Sequence, residues 1–175
     1  SKKIILFPAR LTGWKGQLEF LDVVKKLDTN NISVLFVGDT KNRNYTTSVQ
    51  EKITKENLNT SCKILGNVNT VEMKCLYEIA DLSVSFPLRA EGFGRTVSES
   101  LYTDTPVLAF NFGGVKNQLQ DISDIFKIEP LNYENLHNKI EEILKLEDSI
   151  KKDLLKHTKT IIEDNFSKKI MVNKY

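Results

Sequence analysis

Residues 82–101 have the sequence LSVSFPLRAEGFGRTVSESL, and this stretch decides the fold. It opens with an alternating apolar run that predicts a β-strand, and Pro87 ends the run because proline cannot donate to a strand ladder. A tight loop with Gly92 and Gly94 follows, and a helix is predicted from Thr96 onward. Such a loop at the amino end of a helix creates an anion site, because the free amides and the helix dipole both attract negative charge.

Two carboxylates, Glu91 and Glu99, bracket this loop with seven residues between them. Carboxylates beside an anion site are suited to accept hydrogen bonds from hydroxyl groups, as on a ribose or a hexose. A purely structural alternative is a capping box formed by Thr96 and Glu99. The loop lacks the third glycine of the dinucleotide fingerprint, which disfavours a plain Rossmann dehydrogenase.

Outward from this stretch, apolar runs of strand length alternate with amphipathic helices. Strands are predicted at 3–7, 32–37, 62–65, 82–86, 106–110 and, weakly, 125–128. Helices are predicted at 15–27, 45–57, 71–79, 96–102, 116–120, 134–146 and 148–164. This alternation predicts an α/β fold, a Rossmann-like three-layer α/β/α sandwich around a parallel sheet of about six strands. The 175 residues suit a single domain, closed by helices from about 134 to 175.

Ligands on such sheets bind beyond the carboxyl ends of the strands. The loops at that edge hold seven of the eight glycines, and the eighth, Gly16, begins the first helix. The first loop also carries two cations, Arg10 and Lys15. Lysine in a first helical turn is unfavourable against the helix dipole, and a bound anion would remove that penalty. The alternative for this pair is two solvated surface cations, but their place on the same edge as the glycine loop favours an anion site.

Composition excludes several classes of function. The net charge of +2 is too small to indicate nucleic-acid binding. The apolar runs are too short to span a membrane, and no secretory signal is visible. Cys62 and Cys75 are predicted to be buried, reduced thiols of a cytoplasmic protein and neither a disulfide nor a metal site. His137 and His157 are predicted on the surface of late helices, away from the ligand edge.

Six motifs, in this order, resemble the C-terminal domain of a group 1 (family 4) glycosyltransferase. They are Phe7-Pro8-Ala9-Arg10, Lys15-Gly16, Glu91-Gly92-Phe93-Gly94, Glu99-Ser100-Leu101, Thr105-Pro106-Val107 and Gly113-Gly114. The resemblance covers nearly the whole chain, and the paired Arg…Lys-Gly and Glu-x7-Glu motifs are specific in combination. These enzymes are retaining transferases of the two-domain GT-B fold. The resemblance therefore implies that the chain is one half of such an enzyme and that the N-terminal acceptor domain is outside this sequence.

The resemblance also implies a role for each matching residue. The catalytic side chains would be Arg10 and Lys15, which grip the donor diphosphate and stabilise its growing charge, and Glu91, which holds hydroxyls of the donor sugar. Glu99 would hold the ribose. The remaining nucleotide-sugar contacts would come from the phosphate loop and the base site, at Gly92, Phe93, Gly94, Arg95, Thr96, Gly38, Asn67 and Val68. The chain has no Asp-x-Asp motif, so we expect no metal or other cofactor, with cations and amides in place of magnesium.

The implied activity of the full-length protein is hexosyl transfer from a GDP-, UDP- or ADP-linked sugar to a glycan or lipid-linked acceptor. The Arg95-Thr96 pair and the Gly-Gly-Val-x-x-Gln run after residue 112 are similar to members that build bacterial lipopolysaccharide core and surface polysaccharides. A lipid-linked acceptor would place the full enzyme at the inner face of the cytoplasmic membrane. We expect this chain alone to bind donor without turnover.

Two other functions remain open from sequence. One is a nucleotide-sugar 2-epimerase, which shares the two-domain fold but, in its family pattern, lacks the paired motifs. The other is a non-catalytic nucleotide-binding module, which would have less need to retain both carboxylates and both cations.

Overall fold

The computed structural model describes residues 2–166, and its centre is a six-stranded sheet. The strands are β1 Lys3–Pro8, β2 Ile32–Val37, β3 Cys62–Gly66, β4 Leu82–Ser85, β5 Val107–Phe110 and β6 Lys127–Ile128. All neighbouring pairs are parallel, in the order β3-β2-β1-β4-β5-β6. The first three strands therefore extend from β1 to one edge of the sheet, and the chain then returns to the centre. The last three strands extend from β4, beside β1, to the other edge. The junction of β1 and β4 is the switch point at which open sheets of this kind bind ligands.

Helices cover both faces of the sheet. They are α1 Gln17–Val24, α2 Arg43–Lys55, α3 Thr70–Ile79, α4 Arg95–Tyr102, α5 Gly114–Gln118, α6 Leu136–Lys145, α7 Asp148–Leu155 and α8 Thr158–Phe166. Successive side chains of β1 lie on opposite faces of the sheet, because side chains alternate across a strand. Phe7 packs against Phe20 of α1, with ring centroids 5.3 Å apart, whereas Leu6 packs with Tyr77 of α3. The predicted α/β sandwich with about six parallel strands is confirmed.

A chain of buried phenylalanines forms the core beneath the ligand edge. Phe7, Phe20, Phe36, Phe86 and Phe110 are at most 1% exposed, and the ring centroids of Phe86 lie 5.5 Å from Phe20 and 5.2 Å from Phe110. Phe7, Phe36 and Phe110 lie at or near the carboxyl ends of β1, β2 and β5, where the binding loops begin. Phe86 directly follows β4. Tilted aromatic pairs of this kind add packing energy beyond their buried area. The loops above therefore start from a rigid base.

The predicted helix at 15–27 is wrong at its start. A 3₁₀ turn, Gly13–Lys15, precedes α1, and Gly16 between them has φ of 84°. A residue in the left-handed region interrupts the helical hydrogen-bond ladder, so Lys15 belongs to the loop and not to the first turn of α1. The predicted weak strand at 125–128 is likewise a 3₁₀ turn, Asp124–Phe126, followed by the two residues of β6.

The long closing helix predicted at 148–164 is two helices, α7 and α8. Thr158 is 2% exposed, and its hydroxyl donates to the carbonyl of Leu155 at 2.8 Å and lies 3.3 Å from the carbonyl of Leu101. A threonine hydroxyl that takes a backbone carbonyl competes with the helical ladder. His157 lies exposed in the turn between the two helices, and His137 is half-buried in α6. Residues 167–175 of the predicted closing segment lie outside the described part of the chain.

Within residues 2–166, none of the helices combines the length and the apolar character needed to cross a bilayer.

The two cysteines differ in exposure, so the prediction that both are buried is wrong for Cys75. Cys62 lies in β3 and is 4% exposed, whereas Cys75 is exposed on α3. The inward stripe of α3 consists of the buried Tyr77 and the partly buried Met73 and Leu76, continued by the buried cap residue Ala80, and Cys75 falls between those positions.

This difference predicts selective thiol chemistry. Burial raises the pKa of the Cys62 thiol to about 12, which removes the reactive thiolate at working pH. We expect iodoacetamide at pH 8 to label Cys75 in the folded protein and Cys62 only after unfolding in urea. Peptide mass spectrometry measures both sites in one sample. Equal labelling rates for the two thiols in the folded protein would contradict the burial of Cys62.

Candidate functional site

A cleft of about 520 Å³ lies at the carboxyl ends of the strands around the switch point. Seven of the twelve predicted donor-binding residues line it: Arg10, Gly38, Asn67, Val68, Arg95, Thr96 and Glu99. The other five lie in the loops that lead into α1 and α4: Lys15, Glu91, Gly92, Phe93 and Gly94. The structure thus brings together site residues that are up to 89 positions apart in the chain, from Arg10 to Glu99.

The two loops meet directly through an ion pair. The Lys15 Nζ bonds to the Glu91 carboxylate, and their side chains are only 15% and 9% exposed. The same ammonium lies 4.4 Å from the centre of the Trp14 ring, and the Arg89 guanidinium lies 5.4 Å from that ring. Each charge in a partly buried pair needs its partner, since an uncompensated charge there is costly. Lys15 is therefore held by Glu91 in this structure, whereas the resemblance assigns it to a diphosphate.

A buried glutamine holds the glycine loop. The Gln118 side chain is fully buried, and its amide nitrogen donates to the carbonyl of Phe93 and lies 3.5 Å from that of Gly94. The Ser98 hydroxyl donates to the Gln118 side-chain oxygen at 2.6 Å. Because the carbonyls of the loop face inward to this amide, the peptide N–H groups on the other side of the loop are available to a ligand.

Gly94 forms the amino cap of α4 with φ of 75° and no side-chain cap bond in the described structure. A Cβ at this position would lie 2.3 Å from a methyl carbon of Val115, so glycine is required both for its backbone angle and for its size. The capping box considered as the structural alternative for Thr96 and Glu99 is not formed, because the cap residue is Gly94. A capping box does exist at the start of α3, between Asn69 and Glu72.

Glu99 lies in the second turn of α4. Its Oε2 accepts from the Tyr77 hydroxyl at 3.1 Å, and its Oε1 lies 3.3 Å from Nε of Arg95. The Glu99 side chain is 40% exposed and borders the cleft. A carboxylate fixed in this way on a cleft wall is able to accept further hydrogen bonds from ligand hydroxyls.

A second buried glutamine holds the loop after β1. Gln17 is fully buried, and its amide nitrogen donates to the carbonyl of Arg10 at 2.9 Å. The N–H of Leu11 donates to the carbonyl of Asp39 at 2.9 Å, which ties this loop to the one after β2. The Arg10 side chain is exposed at the cleft. The loop backbone is thus fixed while the guanidinium faces solvent.

Sequence reasoning assigned no structural role to Gln17, Tyr77 or Gln118, although Gln118 is the glutamine of the Gly-Gly-Val-x-x-Gln run. A usable signal existed for Gln17, which shares the apolar stripe of α1 with Phe20, Leu21 and Val24. A polar side chain on such a stripe is expected to hydrogen-bond in the interior. No comparable signal marks Tyr77, since a tyrosine on an apolar stripe is ordinary core.

In the part of the chain that the structure describes, no three His, Cys, Asp or Glu side chains come together as a metal site.

The fold and its cleft define a Rossmann-like α/β domain of the kind that forms half of a GT-B enzyme. A protein-family model described as "Glycosyl transferases group 1" matches residues 1–161. The chain therefore belongs to the group 1 glycosyltransferase family.

Two solved structures share this fold. A glycosyltransferase from Rickettsia africae superposes with a TM-score of 0.90 at 32% identity, over 99% of this chain and 46% of the other. HepE from Anabaena, in a complex with UDP and glucose, superposes with a TM-score of 0.84 at 23% identity, over 99% of this chain and 46% of that protein.

Two curated relatives are similar in sequence. A trehalose synthase from Thermococcus litoralis is 28% identical over 95% of this chain and 41% of its own length. A lipopolysaccharide 1,2-N-acetylglucosaminetransferase from Salmonella typhimurium is 25% identical over 94% of this chain and 44% of its own. The chain thus spans less than half the length of these relatives.

Proposed function

We propose that this chain is the donor-binding domain of a retaining glycosyltransferase that moves a hexose from a nucleotide-diphosphate sugar. One arrangement carries the proposal: Arg10 from the loop after β1, the amino end of α4 and the carboxylate of Glu99 converge on the cleft at the switch point, and the paired Lys15 and Glu91 lie in the loops that lead into α1 and α4. Each element suits one part of a nucleotide sugar. Arg10, Lys15 and the loop amides suit the diphosphate, Glu91 the sugar hydroxyls, and Glu99 the ribose.

The catalytic roles follow from charge. As the sugar leaves, negative charge grows on the diphosphate, and fixed cations and amides stabilise that charge without reorganising. Arg10 and Lys15 are the cations placed for this, and they supply the stabilisation that a divalent metal supplies in other transferases. We therefore expect donor binding to need no added metal. Lys15 must exchange its bond to Glu91 for the phosphate, which frees Glu91 for the sugar.

For the base, we propose uracil ahead of guanine and adenine, supported by the UDP complexes of a protein with the same fold. The base would lie near Gly38, Asn67 and Val68 at the β2 and β3 side of the cleft. For the acceptor, we propose a glycan or lipid-linked sugar of bacterial surface polysaccharide, supported by the Arg95-Thr96 motif and by the similarity to the Salmonella transferase. The full-length enzyme would then work in the cytoplasm or at the inner face of its membrane.

Calorimetric titration of this chain tests the proposal. We expect UDP to bind with and without EDTA, more tightly than GDP or ADP, and UDP-glucose to bind at least as tightly as UDP. Uridine should bind much more weakly than UDP, because it lacks the diphosphate. Equal affinities for uridine and UDP would contradict the anion site, and the absence of binding to all three diphosphates would contradict donor binding by this chain.

A further inference from the structure

We propose that Tyr77 is a positioning residue that fixes the ribose-binding carboxylate of Glu99 and so sets the discrimination between ribonucleotides and deoxyribonucleotides. This inference rests on the proposed function, since it assigns a purpose to one part of the donor site. No motif of the chain includes Tyr77, which lies near the end of α3, on an element separate from the loops that carry the other site residues.

The contact between Tyr77 and Glu99 is well placed for this purpose. The Tyr77 hydroxyl lies 3.1 Å from Oε2 of Glu99 and 3.3 Å from the backbone carbonyl of Thr96. A phenol has one proton to donate, and the ionised carboxylate is the stronger acceptor of the two. The hydroxyl therefore orients the carboxylate while staying against the first turn of α4.

The two partners of Glu99 differ in rigidity. Arg95 is 84% exposed, and its bond to Oε1 costs little to break in water. Tyr77 is 2% exposed, its ring packs with Leu6, Val37 and Ala80, and its own carbonyl accepts from the Thr105 hydroxyl at 2.8 Å. Tyr77 is thus the fixed support, whereas Arg95 is free to turn to a ligand.

The protonation state of Tyr77 supports the same role. Burial raises the pKa of the Tyr77 hydroxyl far above its usual value, and the adjacent charge of Glu99 raises the pKa further. The hydroxyl therefore stays protonated and remains a hydrogen-bond donor at neutral pH. A carboxylate held by such a donor keeps one orientation toward the ribose diol. It therefore loses less conformational entropy when the ligand binds.

The test compares affinities for UDP and 2′-deoxy-UDP, measured by calorimetry on the same chain. The readout is the ratio of the two dissociation constants, which a general loss of stability does not change. We expect the wild-type protein to prefer UDP and Glu99→Gln to lose most of this preference. Tyr77→Phe should weaken UDP binding by about tenfold and lower the preference for UDP over 2′-deoxy-UDP toward that of Glu99→Gln.

Tyr133→Phe is the matched control. Its hydroxyl is also partly buried and donates to a backbone carbonyl, that of Phe86 at 3.2 Å, and Tyr133 is remote from Glu99 in the hydrogen-bond network of the described residues. This variant should keep the wild-type ratio. Glu99→Asp is the second variant. It keeps a carboxylate at a partly exposed helix position, but the side chain is one methylene shorter, so the carboxylate no longer reaches the Tyr77 hydroxyl. It should also lose preference for UDP, even if Tyr77→Phe does not fold.

The outcomes separate this inference from the proposed function. A folded Tyr77→Phe or a Glu99→Asp variant with the full wild-type ratio would overturn the role of Tyr77 and leave the donor site intact. A wild-type protein that binds UDP and 2′-deoxy-UDP equally would overturn the ribose role of Glu99, and the role of Tyr77 with it.

Discussion

Replacing Lys15 by alanine is expected to weaken UDP binding by ~30-fold, which corresponds to the ~2 kcal/mol typical of a lost charge-assisted hydrogen bond. The reason is twofold. The variant removes an ammonium from the diphosphate, and it leaves the Glu91 carboxylate, whose side chain is 9% exposed, without its partner beside the incoming negative charge. Calorimetric titration of wild type and variant with UDP gives the ratio directly.

The ligand and the variant each have a control. Uridine has no phosphate, so its affinity should be the same for Lys15→Ala and wild type. Lys26→Ala removes an exposed lysine just beyond the carboxyl end of α1, the end opposite to the Lys15 loop, and should leave UDP binding unchanged. A Lys15→Ala variant that binds UDP as tightly as wild type would mean that the lysine stays with Glu91 and does not reach the phosphate.

Replacing Gly16 by alanine is expected to destabilise the fold by ~3 kcal/mol, the sum of left-handed backbone strain of ~1–2 kcal/mol and overpacking of ~1–3 kcal/mol. At φ of 84°, the added Cβ would lie 2.2 Å from the backbone carbonyl oxygen of Phe86 and 3.1 Å from the Tyr133 hydroxyl. The backbone of Phe86 on one side and the partly buried Tyr133 on the other leave little room for relaxation. Thermal unfolding followed by circular dichroism should show a midpoint lower by ~10 °C for a domain of this size.

Gly92→Ala is the matched control for Gly16→Ala. No atom lies within 4 Å of a Cβ built on Gly92, and its φ is not in the left-handed region. This exposed substitution should change the free energy of unfolding by no more than ~0.5 kcal/mol. Similar losses in the two variants would show that the local geometry around Gly16 is not the cause.

The fold was predictable because its signals are local. Uninterrupted apolar runs such as residues 34–37 occur where a strand is covered on both faces, and the alternation with helices then allows few topologies. The elements that were wrong depend on distant contacts. Nothing near residue 158 in sequence shows that the Thr158 hydroxyl will approach the carbonyl of Leu101 on α4 and end α7 early. Cys75 is exposed because α3 buries only a narrow stripe, and a list of apolar residues does not give the width of that stripe.

The candidate site shows the same division. The loops with Arg10, Lys15, Glu91 and the glycines were predictable from residue type and position after strands. The bond between Lys15 and Glu91 was not predictable, since it joins residues 76 positions apart. The capping box at Thr96 and Glu99 was a reasonable local alternative. It fails because the turn at Gly94 moves the helix start, so Glu99 reaches across to α3 instead.

Trp14 is the single tryptophan of the chain, and both the Lys15 ammonium and the Arg89 guanidinium lie close to its ring. Indole emission responds to nearby charge and to solvent, so the intrinsic fluorescence of this protein reports on one place in the molecule. If Lys15 leaves Glu91 for a phosphate, the charge above the ring moves with it. Stopped-flow fluorescence would then record how fast the ion pair opens, without any label and with no background from a second indole.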